Sequence, residues 1–173
     1  KPISFEVFAD DESGMEAQAI VLNSWGKHVY VKIPITNTKG ESTGELIRKL
    51  SVSGIKVNVT AVMTFEQIRV AARCLYPQTP AIISIFAGRI ADTGRDPLPF
   101  FDACKVAKHD KTELLWASAR EVYNVKQAEQ AGANIITLSP VLIEKMKFFG
   151  KDLAEYSLET VRTFYEDGKA IPR

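Results

Sequence analysis

The sequence has no excess of either charge: 22 Lys and Arg stand against 21 Asp and Glu, a formal net charge of +1. The basic residues are spread along the chain, so there is no polybasic footprint for nucleic acid or anionic lipid, and any anion site must be local. No apolar run reaches transmembrane length, and no signal-peptide pattern opens the sequence. Together these absences predict a soluble, cytoplasmic protein with no nucleic-acid or membrane partner. Cysteine is scarce as well. Cys74 and Cys104 are the only two; they fall in helix-like segments without metal-ligand spacing around them, so neither a disulfide nor a metal site is implied. Low-complexity tracts and linkers are missing too, and residues 1–173 read as one domain.

What is present is an ordinary globular composition, 46% hydrophobic and 25% charged, in a chain long enough for a substantial core. Six short β-like runs, at residues 3–9, 29–36, 55–62, 81–87, 113–118 and 134–138, alternate with amphipathic helical segments. This alternation predicts a parallel sheet with helical crossovers. An acidic cluster, Asp10-Asp11-Glu12-Ser13, opens the first helix, Thr64 caps another, and Pro140 begins a third where its missing N–H costs nothing. The longest connection is expected at residues 88–97, and a last helix at residues 152–167.

The second strand run, Val29 to Thr36, places a single lysine among apolar residues. Side chains alternate faces along a strand, so Tyr30, Lys32 and Pro34 share one side and Val29, Val31, Ile33 and Ile35 the other. A desolvated lysine loses part of its basicity, and a neutral amine is a nucleophile able to form a Schiff base with a carbonyl. On this stretch alone, a lysine that snorkels to solvent fits equally well.

The same alternation gives every strand one aliphatic face and one mixed face. An open sheet covered on both sides would be apolar on both faces, whereas a barrel turns its outer face to the helices and opens its inner face into a site at the strand C-terminal ends. The pattern therefore predicts a (β/α)8 TIM barrel of which this chain holds six units. The two others are expected before Lys1, where a strand pattern starts at once without an initiator methionine. Glu6, Lys32, Asn58, Thr60, Phe86, Ser118 and Ser139 are expected to point inward at one end. On β-run five this places Trp116 and Ser118 inside and Leu115 and Ala117 outside.

These residues resemble the transaldolase and fructose-6-phosphate aldolase family of Schiff-base aldolases. The likeness runs from about Ile3 to Phe164 through five ordered motifs: Val31-Lys32-Ile33-Pro34-Ile35-Thr36, Gly54-Ile55-Lys56-Val57-Asn58-Val59-Thr60, Phe86-Ala87-Gly88-Arg89-Ile90, Ala117-Ser118-Ala119-Arg120 and Ile136-Thr137-Leu138-Ser139-Pro140. The resemblance implies that Lys32 forms the imine, that Glu6 and Thr60 hold a catalytic water, and that Asn58 and Phe86 lie beside the substrate. It further implies that Arg89, Ser118 and Arg120 anchor a sugar phosphate. No cofactor is implied beyond the covalent imine, and a homo-oligomer is.

Some family features are not in this chain. The aspartate of the family's first strand and the Thr-Thr-Asn-Pro-type motif of its second have no counterpart here. Glu6 and Phe86 resemble the transaldolase choice at their positions, while the compact spacing resembles the short subfamily that contains the aldolases. The resemblance therefore implies transfer of a dihydroxyacetone unit between sugar phosphates, in the pentose phosphate pathway. A fructose-6-phosphate aldolase-type lyase and a catalytically silent barrel serving as a binding or structural subunit remain as alternatives.

Overall fold

In the computed structural model, which describes residues 1–169, six strands form one parallel sheet. They are β1 (Ile3–Glu6), β2 (Val29–Pro34), β3 (Val57–Val62), β4 (Ala81–Ile85), β5 (Thr112–Trp116) and β6 (Ile135–Ile136), and each lies beside the next in chain order. Between and after them run α1 (Glu12–Ser24), α2 (Gly44–Val52), α3 (Phe65–Cys74), α4 (Ala87–Asp92), α5 (Leu98–Ala107), α6 (Asn124–Gln130), α7 (Pro140–Lys145) and α8 (Leu153–Lys169). A strand order that follows the chain, with a helix at each crossover, is the winding of a (β/α) barrel.

Two contacts show that the sheet is curled. Asn58 on β3 hydrogen-bonds Ser4 on β1 at 3.0 Å although β2 lies between them. Tyr30, Ile82, Leu115 and Ala117, from β2, β4 and the end of β5, also form one buried cluster on the concave side. Side chains from alternate strands meet in this way only where a sheet wraps round an axis.

The larger core lies on the convex side. There Val31, Ile33, Val57, Val59, Ile83, Ile85, Leu114 and Trp116 pack against helix residues such as Leu46, Ile47, Ile68 and Phe101. Trp116 stacks on Phe101 with ring centroids 5.0 Å apart. Cys74 and Cys104 are buried in this layer as free thiols, and burial pushes the Cys104 thiol up to about 12. Both behave as small apolar residues.

Local signals set the helix starts. Asp11 caps α1 by accepting from the Gly14 N–H at 2.8 Å. Thr64 and Gln67 form a reciprocal capping box on α3, which satisfies two otherwise orphaned donors. Ser139 caps α7 ahead of Pro140.

Four expectations are corrected. The connection at residues 88–97 is not wholly a loop, because its first part is the helix α4. On β5 the faces are exchanged: Leu114 and Trp116 meet the helices, while Leu115 and Ala117 face inward. Ser139 does not point into the interior, since its hydroxyl is exposed and capping α7. The last helix also runs through Gly168 to Lys169 and buries none of its residues, leaving Val161, Phe164 and Tyr165 exposed. Among the described residues no helix is long and apolar enough to cross a membrane.

Candidate active site

Parallel register puts the polar inward residues of three strands in one row: Glu6 is opposite Lys32, and Lys32 is opposite Asn58. Lys32 Nζ lies 3.3 Å from Glu6 Oε2, with the two side chains 29% and 45% exposed. The lysine is therefore less desolvated than an apolar strand suggests. It stands at the open end of the barrel, paired with a carboxylate and within reach of solutes.

Below this pair the floor is polar but dry. Asn58 and Ser84 are buried; the Asn58 amide donates to Ser4 Oγ at 3.0 Å, and the Ser84 hydroxyl donates to Asn58 Oδ1 at 2.7 Å. With both ends of the amide engaged, Asn58 has one orientation. Deeper still, burial and the Glu113 charge push the Tyr30 phenol above its ordinary range, so the ring serves as neutral packing. Lys56 Nζ sits 5.2 Å from its centroid.

One pleat above Asn58, opposite Pro34, is Thr60. It is 2% exposed, and its Oγ1 has no hydrogen-bond partner among the described residues. Just after it the β3 ladder shifts register, and Ala61 has φ of 60°. A buried hydroxyl without a partner costs roughly 1–3 kcal/mol, a cost that a bound water or substrate hydroxyl would offset.

The opposite wall comes from the segments that follow β4 and β5. A cleft of about 590 Å³ runs from Lys32 and Asn58 to Phe86, Arg89 and Ser118. Phe86 directly follows β4 and leads into α4, and the Arg89 guanidinium lies 5.9 Å from its ring centroid. Ser118 has φ of 64°, a left-handed conformation costly for an L-residue. That turn brings Ser118 to the cleft although its strand neighbour Trp116 points outward.

Of the residues expected in the site, the structure brings Lys32, Asn58, Phe86, Arg89 and Ser118 together on one cleft. Glu6 joins them through Lys32, and Thr60 lies buried in the β3 wall. Arg120, two residues past Ser118, is not in the cleft lining but stands at its rim beside Gly88, where its guanidinium grips Asp92 through two hydrogen bonds, at 3.2 and 2.5 Å. Ser4, Ser84 and Thr137 also line the cleft and were not among the expected site residues. Their position on the inward parity of β1, β4 and β6 is the signal that identifies them.

Chemically, the cleft pairs an amine with a carboxylate at one end and offers an arginine and a hydroxyl at the other, over a floor of buried amide and hydroxyl groups. It suits a small polyhydroxylated substrate with a carbonyl at one end and an anionic group at the other. A family model described as Transaldolase/Fructose-6-phosphate aldolase matches residues 1–172. A protein of Nitrosopumilus maritimus named "Probable transaldolase" is 34% identical over 97% of this chain and 73% of its own length. One of Listeria monocytogenes, "Probable transaldolase 2", is 32% identical over 84% and 64%, and one of Thermoanaerobacter, "Probable transaldolase", is 35% identical over 84% and 66%. The chain thus spans only part of the length of these curated relatives, and over nearly all of its own length it belongs to the transaldolase/fructose-6-phosphate aldolase family.

Proposed function

We propose that this chain carries the Schiff-base half of a transaldolase-type reaction, in which a dihydroxyacetone unit passes between sugar phosphates through an imine on Lys32. The observation that carries the reading is the Lys32–Glu6 pair, 3.3 Å apart, opening onto a cleft whose far wall holds Arg89 and Ser118.

In this reading Lys32 passes a proton to Glu6 and its amine adds to the ketose carbonyl, and the carbinolamine loses water to give the imine. The protonated imine then draws the electron pair of the neighbouring C–C bond as the hydroxyl beyond it gives up its proton, and an aldehyde phosphate leaves. The remaining enamine adds to an acceptor aldehyde phosphate, and water releases the new ketose. Glu6 is the carboxylate placed to take and return protons at Lys32. The Thr60 hydroxyl, with its free hydrogen-bond capacity, suits the water that this step makes and later consumes. Arg89 and Ser118 take the phosphate through charge-assisted and neutral hydrogen bonds. No cofactor is needed, because the imine is the electron sink.

Borohydride trapping tests the imine. Incubating the full-length protein with a ketose phosphate and reductant should leave a reduced adduct on Lys32, and Lys32→Met should leave none. A label on another residue, or no label, would sink the imine. Transfer is separated from simple cleavage by assaying glyceraldehyde 3-phosphate release from fructose 6-phosphate with and without erythrose 4-phosphate. Release that ignores the acceptor would favour the lyase over the transferase.

A further inference from the structure

Arg120 is held at the rim by an interaction that the imine chemistry does not require. Its Nε and Nη2 donate to the two carboxylate oxygens of Asp92, and both side chains are 51% exposed. An exposed ion pair contributes about 1 kcal/mol or less to stability in most cases, and a two-pronged one also fixes the orientation of the guanidinium. What the pair does is join the end of α4 to the segment after β5.

The same two segments also meet at the start of α4. The Gly88 N–H donates to the Ala117 carbonyl at 3.4 Å. A Cβ on Gly88 would lie 1.6 Å from the Ser118 carbonyl oxygen and 3.2 Å from Arg120 Cγ. The aliphatic stem of Arg120 thus lies against Gly88, the residue next to Arg89, with Ser118 beside it. The backbone here is fixed by another group: Asn124 Oδ1 accepts from the Arg120 and Glu121 N–H groups at 2.7 and 3.1 Å. Asp92 therefore governs the guanidinium and not the loop that carries it.

We propose that Asp92 is a positioning residue for the anion end of the cleft. A guanidinium has five N–H donors in a planar fork. Asp92 engages the Nε/Nη2 edge and holds the group next to α4, which leaves Nη1 as a pre-oriented donor for a phosphate bound by Arg89 and Ser118. The two arginines then act as one fixed clamp, and a carboxylate that would repel a free anion becomes the part that organises its binding. This rests on the reading of the cleft as a sugar-phosphate site, but not on the imine.

The test uses inorganic phosphate as the probe and calorimetric titration of the full-length protein as the readout. Asp92→Asn should weaken phosphate binding about tenfold, the scale on which a lost orienting contact acts. Asp92→Glu, which keeps the two-pronged acceptor, should stay close to wild type. Arg120→Lys, which keeps the charge but loses the fork, should resemble Asp92→Asn, so the result survives if one variant folds poorly. With fructose 6-phosphate, Asp92→Asn should raise KM and leave kcat nearly unchanged, while turnover of unphosphorylated fructose should not respond. Phosphate binding by Asp92→Asn as tight as wild type, or tighter, overturns the proposal, and so does a wild-type protein that binds no phosphate. Intact phosphate binding without a borohydride adduct on Lys32 would sink the imine alone and leave the role of Asp92 standing.

Discussion

On the wall built by β1, β2 and β3, the side chains at the cleft stand where strand register puts them, Glu6 opposite Lys32 and Lys32 opposite Asn58. On the wall that follows β4 and β5, no register places them. Arg89 sits on the short helix α4, and Ser118 on a left-handed residue past the end of its strand. The loops behind the first wall are tied by hydrogen bonds to exposed side chains, such as those from Thr38 to Asp10. The second wall is set by backbone lying against backbone, with no room for a methyl group on Gly88. The amine and carboxylate of the cleft are thus supplied by a repeating lattice, and its Arg89 and Ser118 end by a single steric junction. The two walls should therefore fail in different ways.

The largest effect should come from Gly88→Ala. Its Cβ would sit 1.6 Å from the Ser118 carbonyl oxygen, which is backbone and cannot swing aside, so α4 and the segment after β5 must separate. We expect a loss of about 3 kcal/mol or more in urea unfolding, at the upper end for a single added methyl. Phosphate binding should fall with it. Borohydride labelling of Lys32 by unphosphorylated dihydroxyacetone should persist under conditions where the variant stays folded. Stability within about 1 kcal/mol of wild type would show that the junction yields easily, and the contrast between the walls would not hold.

A smaller effect of opposite sign should follow at Ser118. An L-residue at φ of 64° carries backbone strain that glycine does not, partly offset by the greater freedom of glycine in the unfolded chain. Ser118→Gly should therefore stabilise the fold by about 0.5–1 kcal/mol while weakening phosphate binding through loss of the hydroxyl. Ser118→Ala keeps the strain and loses the same hydroxyl, so it should weaken binding without the gain. If both variants are equally stable, the strain is not stored at this residue.

How far the site can be read from sequence differs between the walls for the same reason. Alternation alone puts Glu6, Lys32, Asn58 and Phe86 on the inner side, because strand geometry has a strict period of two. It fails on β5, where Leu114 and Trp116 are as apolar as Leu115 and Ala117, and where Ser118, on the parity of Trp116, marks the wrong face while Glu113, on the parity of Leu115, marks the inner one. Ser118 reaches the cleft through one dihedral angle that no alternation encodes. Gly88 reads as a loop glycine, yet its role is close approach within a helix, and that hides α4. The grip of Arg120 on Asp92 spans 28 residues, and charges on exposed loops carry no pattern that reveals such a partner. Lys32 is correctly placed by sequence but overestimated in burial, because the open end of a barrel is set by how far the strands run rather than by their composition.

The smallest expected effect separates the walls by pH. Asp10 follows β1, and its carboxylate accepts from the Thr38 hydroxyl at 2.6 Å and the Thr38 N–H at 2.7 Å, tying the β1–α1 turn to the loop after β2. The hydroxyl hydrogen bond, then the backbone one, holds the Asp10 carboxyl below its ordinary value of 3.8. A carboxyl lowered by folding stabilises the folded state above its unfolded pKa, and that contribution is lost as pH falls through the folded pKa. The tether should thus be intact at neutral pH and release only in acid, below 3.8. Carboxyl titration by NMR should give Asp10 a depressed pKa, moved back toward the ordinary value in Thr38→Val. Over the same acid range the Thr38 amide should lose protection from hydrogen exchange, while the Gly88 amide, held at the steric junction, should keep it. An Asp10 that titrates at its ordinary value, or Thr38 and Gly88 amides that open together, would mean that the two walls respond as one unit.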